Sequence, residues 1–267
     1  MRIEPDPNGQ KITLDPASLL SELAGKPIAF SPLSFVVSER GDGTWNVFTA
    51  DPVAVSAVVD VGGQEQSFDY RQASQVLKGV FSPELAAFLS AEGEIGTTTS
   101  SSRDAMSSST STVNATRMSM SASPATGGAA DIAFKQTYDT VKQTTSFQFP
   151  TEGDAAPTTV GLEFGAATVI SEGAAKTARS RALLDLYTLA ISRAADLQRD
   201  AKGTLAGPFG AELKTRLRAV LPLWDSLDGS ASAQDIKISS LYGELGVQEA
   251  SQSVRMSGIS SNGSFDL

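Results

Sequence analysis

Four carboxylates in this 267-residue chain stand where a sequence could place a catalytic pair: Glu163, Glu172, Asp185 and Asp196. Glycoside hydrolysis needs two acids roughly 5–10 Å apart across a cleft, one protonated and one ionised. Asp185 and Asp196 are eleven residues apart, about three turns of helix, and so share a helix face. Arg181 precedes Asp185 by four residues and Arg199 follows Asp196 by three, which is the spacing of surface ion pairs. Such pairing accounts for the helical acids without catalysis, and ordinary solvation accounts for Glu163 and Glu172.

Other chemistries find less. A Gly-x-Ser-x-Gly elbow is absent, and Ser171 with Lys176 has the wrong spacing for a Ser-x-x-Lys pair. Gly41-x-Gly43 and Gly127-Gly128 lack the lysine and hydroxyl of a phosphate loop. The acidic sets Glu4, Asp6, Asp15 and Asp51, Asp60, Asp69 match no calcium loop. The chain contains neither cysteine nor histidine. Disulfides, zinc fingers, thiolate nucleophiles and imidazole bases are thereby excluded, along with the serine–histidine–acid triad. The sequence assigns no catalytic residue, metal ligand or cofactor.

The formal net charge is −9, from 21 basic and 30 acidic residues. It gives no overall attraction for nucleic acid or anionic lipid. The charge is uneven. Residues 1–96 carry six basic and thirteen acidic groups, whereas residues 176–218 carry nine basic and four acidic. Lys214, Arg216 and Arg218 alternate around a predicted helix rather than lining it, so an acidic protein surface suits this patch better than a phosphate backbone. The start, MRIEPDPNGQKITLDP, lacks the apolar run of a signal peptide, and no stretch reaches the length of a membrane span. The expected location is the cytoplasm, or an assembly built from it, without membrane insertion.

These residues need elements to position them. Asp15-Pro16 followed by Leu19 and Leu20, with Gly25 after, predicts a short helix. Phe35–Val37 and Trp45–Thr49 predict a hairpin around Gly41-Asp42-Gly43, and the alternating Val53, Val55, Ala57 and Val59 predict a third strand. Residues 69–92 read as two helical pieces, restarted by Ser82-Pro83-Glu84, with Phe81 as a hydrophobic staple. Sixteen of the 27 residues from Thr97 to Ser123 are serine or threonine. That composition fits a linker throughout, or a linker leading into a strand from Ala115, where Arg117–Ser121 alternates. Residues 131–149 and 158–164 favour strands. Leu183, Leu186, Tyr187, Ala190, Ile191, Ala194 and Leu197 recur at three and four, predicting one helix over about 173–201. A second, opened by Pro208, carries Leu213, Leu217, Val220 and Leu221. The tail suggests short strands at 236–239 and 253–259.

The expected fold is therefore α+β: mainly antiparallel strands with a C-terminal α-helical hairpin (173–227) and a Ser/Thr-rich excursion. Residues 1–96 form an N-terminal α+β part, 97–125 a linker or partly exposed strand, and 126–267 a C-terminal part sharing its core. The expected function is a structural or assembly protein acting through protein–protein interfaces, such as a virion or bacterial surface-apparatus component. Its partner is protein, including copies of itself. A cytosolic binding or scaffold module and an acid-based or metal-assisted hydrolase stand as alternatives. Leu183, Tyr187, Ile191 and Trp224 are the candidate interface residues, with Arg193, Arg199 and Arg216 setting orientation.

Overall fold

The computed structural model describes residues 1–61, 63–149 and 158–258. Fifteen strands join one antiparallel sheet: β1 (Arg2–Asp6), β2 (Gly9–Leu14), β3 (Ile28–Phe30), β4 (Leu33–Glu39), β5 (Trp45–Thr49), β6 (Ala54–Val61), β7 (Gln64–Gln72), β8 (Gln75–Ser82), β9 (Ala87–Ile95), β10 (Thr98–Arg103), β11 (Ser107–Pro124), β12 (Ala130–Phe149), β13 (Thr158–Ala178), β14 (Ser226–Ser240) and β15 (Gly243–Ser257). The helices are short: α1 (Ala17–Ala24), α2 (Ser180–Ile191), α3 (Ala194–Arg199), α4 (Ala201–Ala206) and α5 (Pro208–Val220).

Strand takes 63% of the described residues and helix 19%, which overturns the expected α+β class with its C-terminal helical hairpin. The helix expected over 173–201 is three elements. Residues 173–178 finish β13, and α2 stops before Arg193, whose φ of −119° leaves helical geometry. Asp200 breaks the chain again at φ −153° and caps α4, its carboxylate accepting from the Gly203 N–H at 2.9 Å.

Residues 69–92 are also corrected, from helix to the strands β7, β8 and β9. Ser82 does accept an N–H three residues on, from Leu85 at 3.3 Å, as a helix cap would. Yet Ala86 follows with φ 49°, and the turn closes a hairpin instead of opening a helix. Phe81 is no staple. Its ring meets Phe88 edge-on across that hairpin, 5.4 Å between centroids. Gly79 and Gly93 stand where neighbouring strands approach closely. A Cβ on Gly93 would stand 2.0 Å from Leu77 Cδ2, and one on Gly79 would stand 2.7 Å from the Ser90 carbonyl.

The Ser/Thr-rich stretch is ordered as β10 and β11 rather than a linker. β11 pairs with β12 along its whole length on one side. On its other side it meets two strands end to end: β10 through Ser108–Val113 and β9 through Thr116–Ser121. The sheet forks at that point. One arm continues from β9 through β8, β5, β4 and β2 to β1, and the other from β10 through β7 and β6 to β3. Asn114 sits at the fork, its carbonyl accepting from Thr97 Oγ1 at 3.3 Å.

A line of backbone irregularity starts there. The registers place Asn114, Thr140, Ala167, Asp235 and Gln248 in one transverse row across β11 to β15. Thr140 and Asp235 both take left-handed geometry, at φ 51°, while the strands on either side keep register. Such backbone costs roughly 1–2 kcal/mol in an L-residue. Beside this row runs an apolar one: Val113, Val141, Ala166, Ile236 and Val247. Ala166 and Ile236 in it are buried.

Burial elsewhere is sparse. Leu85, Ala87 and Ala130 form the main buried cluster, with Leu89, Ala122 and Ile132 packed on it. Most of the fully buried apolar residues are alanines, and no large side chain is fully enclosed among the described residues. The accessible surface is 16,622 Å². A compact monomer of this mass exposes about 11,000 Å².

Candidate interaction surfaces

The sheet has two chemically distinct faces, because side chains alternate along each strand. On one face a transverse row reads Lys78, Glu92, Ser119, Lys135, Glu172, Ser230, Ser253 from β8 to β15. Lys78 Nζ lies 2.8 Å from Glu92 and Lys135 Nζ 3.4 Å from Glu172. The Glu92 carboxylate holds the Lys78 ammonium above its ordinary pKa by hydrogen bond and charge. The row one residue along belongs to the other face: Val37, Val47, Gly79, Ala91, Met120, Phe134, Gly173, Gly229 and Val254. Phe134 rests over Gly173, where a Cβ would lie 2.8 Å from the ring. Phe35, Leu77, Phe88, Met118, Met120 and Phe134 line a trough of about 310 Å³ on this face. Met120 and Phe134 remain exposed.

The four carboxylates considered for catalysis do not meet. Glu172 belongs to the charged row, and Glu163 lies farther along β13, facing Thr144 and Ser239. Asp185 pairs with Arg181 at 3.3 Å, and Asp196 with Arg193 at 3.4 Å and Arg199 at 3.7 Å. Among the described residues no group of three acids could hold a metal ion. The carboxyls with resolved shifts all move downward, the direction of ionised groups that accept hydrogen bonds. Thr44 lowers Asp42, Arg71 lowers Asp69, and the Met106 and Ser107 donors lower Asp104. Lys176 lowers Asp131 first, by hydrogen bond, and the Thr177 N–H adds to it.

The candidate interface residues separate into two places. Leu183, Tyr187 and Ile191 form one stripe along α2, pointing outward with 39%, 65% and 51% of their surface exposed. The half-buried side of that helix is Ala182, Leu186, Leu189 and Ala190. Trp224 lies apart from the stripe, in the link from α5 to β14. Its indole N–H is buried with no acceptor among the described residues. Arg193 and Arg199 are engaged by Asp196, and Arg216 by Glu212 at 2.8 Å.

Sequence reading missed the terminal strands of the sheet. Among the described residues β1 pairs only with β2, β3 only with β6, and β15 only with β14. β1 is five residues long and contains Pro5, which has no N–H to offer and protects an edge. β15 is fifteen residues long, contains no proline and is exposed over most of its length. The tail was expected to hold a short strand over 253–259, but β15 begins ten residues earlier and ends at Ser257, and residue 259 lies outside the described residues. No helix among the described residues is long and apolar enough to cross a membrane. Comparison with protein families, curated proteins and solved structures gives no match to this chain.

Proposed function

We infer that this chain is a structural or assembly protein that completes its fold by associating with protein, including copies of itself. The excess surface carries this reading. The exposed area surpasses that of a compact monomer by about 5,600 Å², the scale of an obligate interface. The exposed apolar side chains are spread over the sheet face (Met120, Phe134, Phe147, Leu162) and over α2. Apolar side chains left exposed on one sheet face, as Met120 and Phe134 are, suit a surface that becomes covered. The net charge of −9 favours protein over nucleic acid or anionic lipid as the partner, in the cytoplasm or in an assembly built from it.

Light scattering coupled to size exclusion, run from micromolar to high micromolar concentration, tests the reading. Masses at integral multiples of 27.8 kDa support it. A strict monomer across that range, with a compact hydrodynamic radius, overturns it.

A further inference from the structure

We propose that two copies join through β15, edge to edge and antiparallel about a two-fold axis at Gln252; this rests on the self-association inferred above. Strand order supplies the first argument. Eleven strands run from β1 to β15 along the long path, every neighbour antiparallel. An odd number leaves β1 and β15 pointing the same way. Head-to-tail continuation of the sheet would therefore need a parallel pair between fifteen residues and a five-residue strand bearing Pro5. Pairing β15 with its own copy matches length with length and puts no proline in the ladder.

Charge then selects the register. A two-fold antiparallel pair opposes residues of the same parity, because opposed residues both turn their N–H and C=O groups inward or both outward. On β15 the central and distal charges are Glu249 and Arg255, an even six residues apart and so on one face. Placing Gln252 on the axis sets Glu249 opposite Arg255 of the second copy, twice. The same register opposes Ala250 to Val254 and Ser251 to Ser253. Moving the axis to Glu249 would set two like charges against each other, which destabilises a cross-strand pair. Arg255 already reaches Asp228 on β14 from the inner side. Its guanidinium has five donors in a fixed fork and can take a second carboxylate from the outer side.

The absence of cysteine makes cross-linking a clean test on the full chain. Directly opposed Cα atoms lie about 4.5–5.5 Å apart, inside the roughly 4.4–6.8 Å span of a disulfide. Gln252→Cys should give a covalent dimer under mild oxidant. Ala250→Cys alone should form one at least about tenfold more slowly, because its own counterpart lies four residues off, about 13 Å along the strand. Ala250→Cys mixed with Val254→Cys should cross-link about as fast as Gln252→Cys. Glu249→Arg, at an exposed position, should weaken association about tenfold. If the protein associates but Gln252→Cys links no faster than Ala250→Cys, the β15 pairing is wrong while self-assembly stands. If the protein is a strict monomer, both fall.

Discussion

Thr140 and Asp235 lie in one transverse row of the sheet, two strands apart, and both carry a φ of 51° in the middle of long strands. Neither is glycine, and threonine is β-branched, which makes the left-handed region costly for it. Glycine removes that cost while losing more freedom on folding. Thr140→Gly is expected to stabilise the protein by about 0.5–1 kcal/mol in urea unfolding. Asp235→Gly should gain less, because aspartate tolerates this geometry better than threonine. A loss of stability in both variants would mean that the row is not held in left-handed backbone.

Glycines on the sheet divide into two sets. A Cβ on Gly79 would meet the Ser90 carbonyl at 2.7 Å, and one on Gly173 would meet the Asp228 carbonyl at 2.9 Å. Backbone cannot step aside cheaply, so Gly79→Ala and Gly173→Ala should each cost about 1–3 kcal/mol. Gly161 and Gly246 have nothing within 4 Å and ordinary φ. Alanine there should be neutral or should stabilise by about 0.5 kcal/mol through the unfolded state. Thermal melts of the four variants check the split.

Asp131 sits where β12 and β13 shift register, accepting from Lys176 Nζ at 2.8 Å and from the Thr177 N–H at 2.9 Å. These donors lower its pKa below the ordinary 3.8. A carboxyl lowered in the folded state contributes stability above its unfolded pKa and loses it as pH falls through the folded value. Asp131→Asn should therefore be destabilising at pH 7. The gap to the parent should narrow on acidification below pH about 4, read from urea midpoints.

The α2 stripe is open to a direct test. Replacing Leu183, Tyr187 and Ile191 with serine should change monomer stability by no more than about 0.5 kcal/mol at each site, since all three are exposed. If the stripe belongs to the assembly, the same variants should shift the scattering mass toward monomer. A large loss of helical circular dichroism would instead assign these residues to the internal packing of the helices.

Sequence patterns that depend on neighbours close in the chain were readable. The Asp15-Pro16 start, Gly25 and the alternation of Trp45, Val47 and Thr49 gave α1 and the β4–β5 hairpin. Patterns decided by distant strands were not. Tyr70, Ala73, Val76 and Leu77 have helical spacing, but β7 is claimed by β6 and β10, and β8 by β5 and β9. Leu183, Leu186, Tyr187, Ala190 and Ile191 read as one apolar face, but the structure divides them into an exposed stripe and a half-buried side, and periodicity cannot say which of two apolar stripes turns inward. The catalytic candidates scattered because, among the described residues, no loop or cleft draws the four carboxylates together.

The three-sided pairing of β11 bears on how so repetitive a sequence holds a single alignment. SSSTSTVNATRMSMSAS offers almost equivalent side chains at each step, so hydroxyls alone would let the strand slide by two residues at little cost. Here β12 fixes it along its full length, while β9 and β10 abut at Asn114 and lock it from the opposite side. Any displacement would have to break both arms at once. Low complexity is tolerated at this one strand because its neighbours, and not its own side chains, carry the information about where it belongs.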